Sequence, residues 1–175
     1  MLALQDLTLA IMFFPLAIVI TYMDVRYRRI PNKLVLATLL GGLILNTFFG
    51  GGHGLLTSLG GVVLAFSLMF FLHVFGTMGA GDVKLFASIG AIVGISHVIP
   101  TLLVVALTGG VLAICKMVYK RRVVVTMLGV GQFFYGFLPG MKVPRFEIPE
   151  NRSYTLPYAV AINLGSVIAF LVFRG

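Results

Sequence analysis

The chain has 175 residues, 59% of them hydrophobic and 10% charged, which excludes a soluble domain, because one of this size cannot cover so much apolar surface. The lone cysteine, Cys115, excludes an intrachain disulfide and reads as a small buried hydrophobe, and no CxxC pair offers a zinc site. The formal net charge of +8 gathers beside apolar runs, where anionic lipid and topology control explain it better than nucleic acid.

The expected class is therefore an all-α, polytopic membrane protein, each span needing about 20 mostly apolar residues. Residues 7–23 are uncharged and form the first predicted span. It opens with MLALQDL and ends in TYMDVRYRR, with no basic start and no small-residue cleavage site, so it is not merely a signal peptide. A basic turn, DVRYRRIPNK, follows. Residues 34–81 then lack Asp, Glu, Lys and Arg altogether. That run is too long for one span, and FFGGGHG breaks it into predicted spans at 33–49 and 55–75.

Residues 85–115 are again uncharged, and Pro100 divides them into short helices at 82–99 and 101–119, joined by a tight hairpin. Lys84, Lys116 and Lys120 snorkel at their ends. Residues 153–173 supply the last span. Six transmembrane helices result, in a single membrane-embedded domain over residues 1–175. With six spans, every basic residue except Arg174 falls on one side, which the positive-inside rule makes cytoplasmic, with both termini outside. Residues 123–141 are uncharged but contain Gly129, Gly131, Gln132, Gly136 and Pro139, so they read as an interfacial or re-entrant segment in preference to a seventh span. The GAIVG pattern at 90–94 reads as ordinary close packing of helices.

Only five acids exist. Asp6, Glu147 and Glu150 read as solvated. Asp24 closes the first span and Asp82 opens the fourth, and the alternation of span directions brings both to one depth at the cytoplasmic side. Isolated ionisable groups at such depth are costly and usually have a partner or a role. Two carboxylates within reach share a proton. The ionised one can then take a proton from water while the protonated one polarises a peptide carbonyl, which suits hydrolysis without metal or covalent nucleophile. Plainer readings stand beside this one. Asp82 follows Gly81 and precedes an apolar helix, so it fits an N-cap, a position that also suits an ionised base. Asp24 can pair with Arg26, Arg28 or Arg29 at the membrane boundary.

The segment GAGD, Gly79 to Asp82, matches the GxGD signature of intramembrane aspartyl proteases. MDVRYRRIPNKL and GAGDVKLFASIG resemble the two aspartate segments of prepilin leader peptidases, and LPYAVAI resembles their last helix. The resemblance runs from residue 23 to about residue 163, and the short form is similar to the peptidases of tight-adherence (Flp) pilus systems. It implies an aspartic-type endopeptidase of the inner membrane. Such an enzyme cuts the leader from type IV prepilins or pseudopilins at the cytoplasmic face, with Asp24 and Asp82 as the catalytic pair. Gly79 and Gly81 would allow close backbone approach or set the geometry of Asp82. Pro31 and Asn32 would shape the start of the second span. The larger members carry an N-terminal domain, often with paired cysteines, and also methylate the new pilin N-terminus. The first span begins almost at once here, so methylation is not expected.

The expected partners are a prepilin substrate and membrane lipids, with no nucleic acid, no cofactor and no metal, and nothing in the sequence sets an oligomeric state. The substrate groove is expected among spans one, four and six. His73 is expected near the depth of the acids, hydrogen-bonded or interfacial, and His53 and His97 at the outer face. Asn163 and Ser166 are expected to bond between helices. Lys84, two residues from Asp82, faces elsewhere. A proton-coupled transporter that uses intramembrane carboxylates is the alternative function, but it needs acids near the bilayer centre. A non-enzymatic assembly subunit is a third reading. Separate Asn replacements of the two Asp residues discriminate among them.

Overall fold

A computed structural model describes residues 4–76, 78–119 and 158–173. The elements are α1 (Leu4–Tyr27), α2 (Asn32–Val74), α3 (Ala80–Val93), α4 (Ile95–Tyr119) and α5 (Tyr158–Phe173), with no strand among the described residues. The expectation for residues 123–141 lies outside the described residues, as do Glu147, Glu150 and Arg174. Helices α1, α2 and α4 are long and apolar enough to cross a membrane, and α5 is a shorter apolar helix. The described residues are all-helical, and the chain is a membrane protein. Its two compact units are Met1–Gly109 with Pro157–Gly175, and Gly110–Leu156. Of the second, the described part is the end of α4.

Among the described residues five helical elements stand where six helices were expected, because the second and third predicted spans are one continuous element, α2. A straight helix of 43 residues would run about 65 Å, twice the hydrocarbon thickness. It is not straight. Gly51 has φ +56° and ψ −141°, and Asn46 Nδ2 donates to Ser58 Oγ at 2.9 Å, although a straight helix would hold them about 18 Å apart. The glycine run thus folds α2 into two arms at the place the sequence marks.

The expected break at Pro100 is not observed. It falls at Gly94, whose φ of +74° stops α3, and Pro100 lies inside α4. Near the start of α4 proline removes only the bond to the Ser96 carbonyl, whereas Gly94 supplies a backbone turn that an L-residue resists.

Helix α3 is the centre of the fold. Val83 and every residue from Leu85 to Val93 are buried, so it is apolar all round, as a helix enclosed by others must be. Small residues let both arms of α2 approach its backbone. A Cβ on Gly42 would stand 2.9 Å from the backbone of Ala91 and Ile92, and Gly61 meets Gly90 backbone to backbone. The freed carbonyls at the end of α3 are capped across the interface. Asn46 Nδ2 donates to Ala91 O at 2.8 Å and Ile92 O at 3.2 Å, and Ser58 Oγ donates to Ala91 O at 2.6 Å. Gln5 Nε2 completes the network by donating to Asn46 Oδ1 at 2.8 Å.

Helix α1 buries one stripe, Leu9, Phe13, Ala17, Ile20 and Asp24, at helical spacing. Helix α5 runs antiparallel along it: Asp24 meets Ala159, Ala17 and Thr21 meet Asn163, and Phe13 meets Phe170. On the far side of α5, Thr108 Oγ1 donates to Ala161 O at 3.1 Å. Cys115, expected to be buried, is exposed. It shares an outward face of α4 with Val111, Ile114 and Val118.

Candidate active site

Asp24 occupies the last turn of α1, on the buried stripe. Its carbonyl accepts the Arg28 N–H at 2.9 Å, and Arg28 ends the helix with φ +52°. The Arg28 guanidinium lies within electrostatic reach of the Asp24 carboxylate. The Ala159 N–H donates to Asp24 Oδ2 at 3.3 Å. Ala159 is the second residue of α5, so that N–H has no carbonyl within its own helix and belongs to the positive end of the helix dipole. The carboxylate thus caps α5 from α1.

Asp82 is held differently. Helix α3 starts from Gly79, whose carbonyl accepts the Asp82 N–H at 3.1 Å and the Val83 N–H at 3.3 Å. Asp82 is therefore the third helical residue, not the N-cap. Its side chain reaches back to the Gly79 N–H, the half of a capping box that an acid in this position supplies. The preceding turn is closed by His73 Nδ1, which donates to Met78 O at 2.7 Å and so carries the proton on that nitrogen. Gly76, with φ +71°, bonds back to His73 O at 2.8 Å.

Asp24 and Asp82, separate in sequence, are close enough for the charge of one to act on the other. Each carboxylate also accepts a backbone N–H at the start of a helix, Asp24 from the first turn of α5 and Asp82 from the N-cap of α3. Such a pair can hold one proton between its members, and can then both accept a proton from water and donate one to an amide. The two signature glycines serve different ends. A Cβ on Gly79 would stand 3.1 Å from Asp82 Oδ2, so a side chain there crowds the carboxylate. A Cβ on Gly81 would make ordinary contact with Ile30 at 3.4 Å.

Other candidates sit apart. Lys84 is exposed and lines a separate groove with Asn32, Phe66 and Ser88. His53 and His97 line a polar cavity of about 230 Å³ with Gln5 and Asn46, at the Gly94 end of α3 and so opposite Asp82. Among the described residues no three His, Cys, Asp or Glu side chains converge as metal ligands.

An open apolar groove of about 610 Å³ runs between α1 and α5, walled by Ile18, Tyr22, Val25, Val160, Leu164 and Val167. Asn163 lines it. Its Nδ2 donates to Ala17 O at 3.1 Å and Thr21 Oγ1 at 2.9 Å, the helix-to-helix bond expected of it. Ser166, given the same role, makes no such bond: among the described residues its Oγ is buried without a partner, and so is Asn163 Oδ1. An unpaired buried acceptor costs about 1–3 kcal/mol.

Three parts of this arrangement escaped sequence reasoning. The Ala159 amide is a backbone group, signalled only by Pro157 one residue before α5. The caps from Asn46 and Ser58 span about 45 and 33 residues respectively. Ile30, against Gly81, sits in the IPN segment without a polar atom to mark it.

A family model described as the type IV leader peptidase family matches residues 11–114, which include both acids and the two signature glycines. No curated protein and no solved structure matches the chain.

Proposed function

Since the chain belongs to the type IV leader peptidase family, we propose that it is an aspartic endopeptidase that removes prepilin leaders with Asp24 and Asp82 as its catalytic pair. The observation that supports this reading is that the two carboxylates lie within electrostatic reach of each other, each accepting a backbone N–H at a helix start. One carboxylate takes a proton from water as the water oxygen attacks the scissile carbonyl. The other, protonated, polarises that carbonyl and passes its proton to the departing nitrogen as the C–N bond breaks. Gly79 keeps the space beside Asp82 clear, whereas Gly81 faces Ile30 with room for a methyl.

The substrate must present an extended peptide bond, because a helical carbonyl is committed to its own helix. Both acids lie at helix ends and not in mid-helix, which favours cleavage at a membrane face over proton transport through the bilayer. In this reading α1, the two arms of α2, α3, α4 and α5 are six crossings of the inner membrane, within a single peptidase domain over residues 1–175. The acids face the cytoplasm, and the enzyme cleaves type IV prepilins or pseudopilins without methylating them.

The test is incubation of the purified protein in liposomes with a prepilin, followed by mass measurement of both products. Cleavage at one bond before the apolar segment, with an unmodified new N-terminus, is the expected result. An uncut prepilin in the presence of folded protein contradicts the reading.

A further inference from the structure

One peptide group, between Met78 and Gly79, joins two side chains. Its carbonyl accepts from His73 Nδ1 at 2.7 Å. Its N–H, at the N-cap of α3, is the one that Asp82 accepts. The carbonyl and N–H of a trans peptide point in opposite directions, so this plane links the His73 ring on one side to the Asp82 carboxylate on the other. A Cβ on Gly79 would stand 3.1 Å from Asp82 Oδ2, which sets the carboxylate directly against this residue.

Both ends of the plane are anchored, but its rotation is not. Met78 packs against the core, and the Gly79 carbonyl starts α3 by accepting from Asp82 and Val83. A half-turn of the plane between these anchors alters chiefly ψ of Met78 and φ of Gly79. Glycine adopts either sign of φ without steric cost, and Gly79 is exposed, so neither backbone preference nor burial selects one orientation. A flipped plane aims a carbonyl oxygen at Asp82 in place of a donor. The His73 ring selects against the flip, because Nδ1–H bonds only a carbonyl turned toward it. His73 is itself held in the last turn of α2, where its own carbonyl accepts the Gly76 N–H at 2.8 Å.

We propose that His73 is a positioning residue for the peptidase reaction: by holding the Met78 carbonyl it keeps the Gly79 N–H on the Asp82 carboxylate. It acts through this peptide as a hydrogen-bond donor and exchanges no proton with the substrate. The inference rests on the peptidase reading above.

Three substitutions separate positioning from plain stapling of the turn. Asn carries an amide N–H at the same remove from Cβ as Nδ1, Gln carries it one bond further, and Leu carries none. In liposomes with one prepilin, His73→Leu and His73→Gln are expected to lower kcat about tenfold with KM within about twofold. They also move one limb of the pH profile up by about one unit, because a carboxylate that loses a donor holds its proton more tightly. His73→Asn restores both. Asp24, which acts on Asp82, and Arg28, which acts on Asp24, remain in every variant. Should His73→Leu misfold, the comparison of Asn with Gln carries the same test. A second measurement needs no substrate. Met78–Gly79 is the only Met-Gly pair in the sequence, so protein labelled with heavy carbon at methionine carbonyls and heavy nitrogen at glycine gives one through-bond resonance, that of this peptide. Its amide proton is expected to move upfield in Asp82→Asn and in His73→Gln, and to stay in place in His73→Asn. Equal rates in the Asn and Gln variants, a lowered unfolding temperature with an unmoved pH profile, or a Gly79 resonance indifferent to residue 73 overturns the inference and leaves the peptidase reading intact. A wild-type protein that cuts no prepilin overturns both.

Discussion

The Ala159 amide donates to the Asp24 carboxylate at 3.3 Å, and this one bond joins the last turn of α1 to the first turn of α5. Proline at 159 deletes the donor without taking a bond from the helix, because that N–H has no carbonyl within α5. Ala159→Pro is expected to lower prepilin cleavage about 10- to 100-fold, matching about 1.5–3 kcal/mol for a hydrogen bond to a charged group, with helix content by circular dichroism unchanged. A cleavage rate within about twofold of wild type would remove Ala159 from the account.

The two signature glycines should not respond alike. A methyl at 79 presses on Asp82 Oδ2 at 3.1 Å, and a methyl at 81 merely touches Ile30 at 3.4 Å. Gly79→Ala is therefore expected to reduce kcat about tenfold or more, and Gly81→Ala to retain most of it. Steady-state rates on one prepilin rank the pair, and the reverse order would contradict the crowding argument.

Both acids and the class of fold were legible in the sequence for a simple reason. In a chain so poor in charge, a carboxylate beside an apolar run is conspicuous, and GxGD with IPN gives it context. The bend at Gly51 was legible because glycine clusters break helices. The break at Gly94 was misplaced to Pro100, since proline looks like the stronger punctuation and the sequence cannot show which residue takes a positive φ. The Asn46 network was invisible, because it depends on Gly42, Gly61 and Gly90 bringing two arms of α2 onto α3. Ser166 was expected to bond between helices and does not, because its hydroxyl faces no acceptor among the described residues.

Asn46 holds the far end of α3 by donating to two carbonyls and to Ser58, and it accepts from Gln5. Asn46→Leu leaves several buried groups unpaired and is expected to cost about 2–4 kcal/mol, at about 1–3 kcal/mol per group with partial relaxation. Ser58→Ala costs less, because Asn46 still serves Ala91. Thermal unfolding in detergent measures both. Cleavage per folded molecule should stay near wild type, since this network lies at the opposite end of α3 from Asp82.

At the bend of α2, three adjacent glycines separate backbone from packing effects. A Cβ at 50, 51 or 52 meets nothing within 4 Å, yet only Gly51 has positive φ. Gly51→Ala is expected to destabilise by about 1–3 kcal/mol through backbone strain alone. Gly50→Ala and Gly52→Ala are expected to be neutral or slightly stabilising. Equal unfolding temperatures for all three would contradict the turn at Gly51.

The most direct measurement is cleavage of one prepilin by Asp24→Asn and by Asp82→Asn separately, each inserted and folded in liposomes, across a range of pH. A pair that shares one proton predicts a bell-shaped wild-type profile and loss of cleavage in either variant at every pH, because Asn can neither take a proton from water nor supply one. Substantial cleavage by either folded variant would contradict a two-carboxylate mechanism.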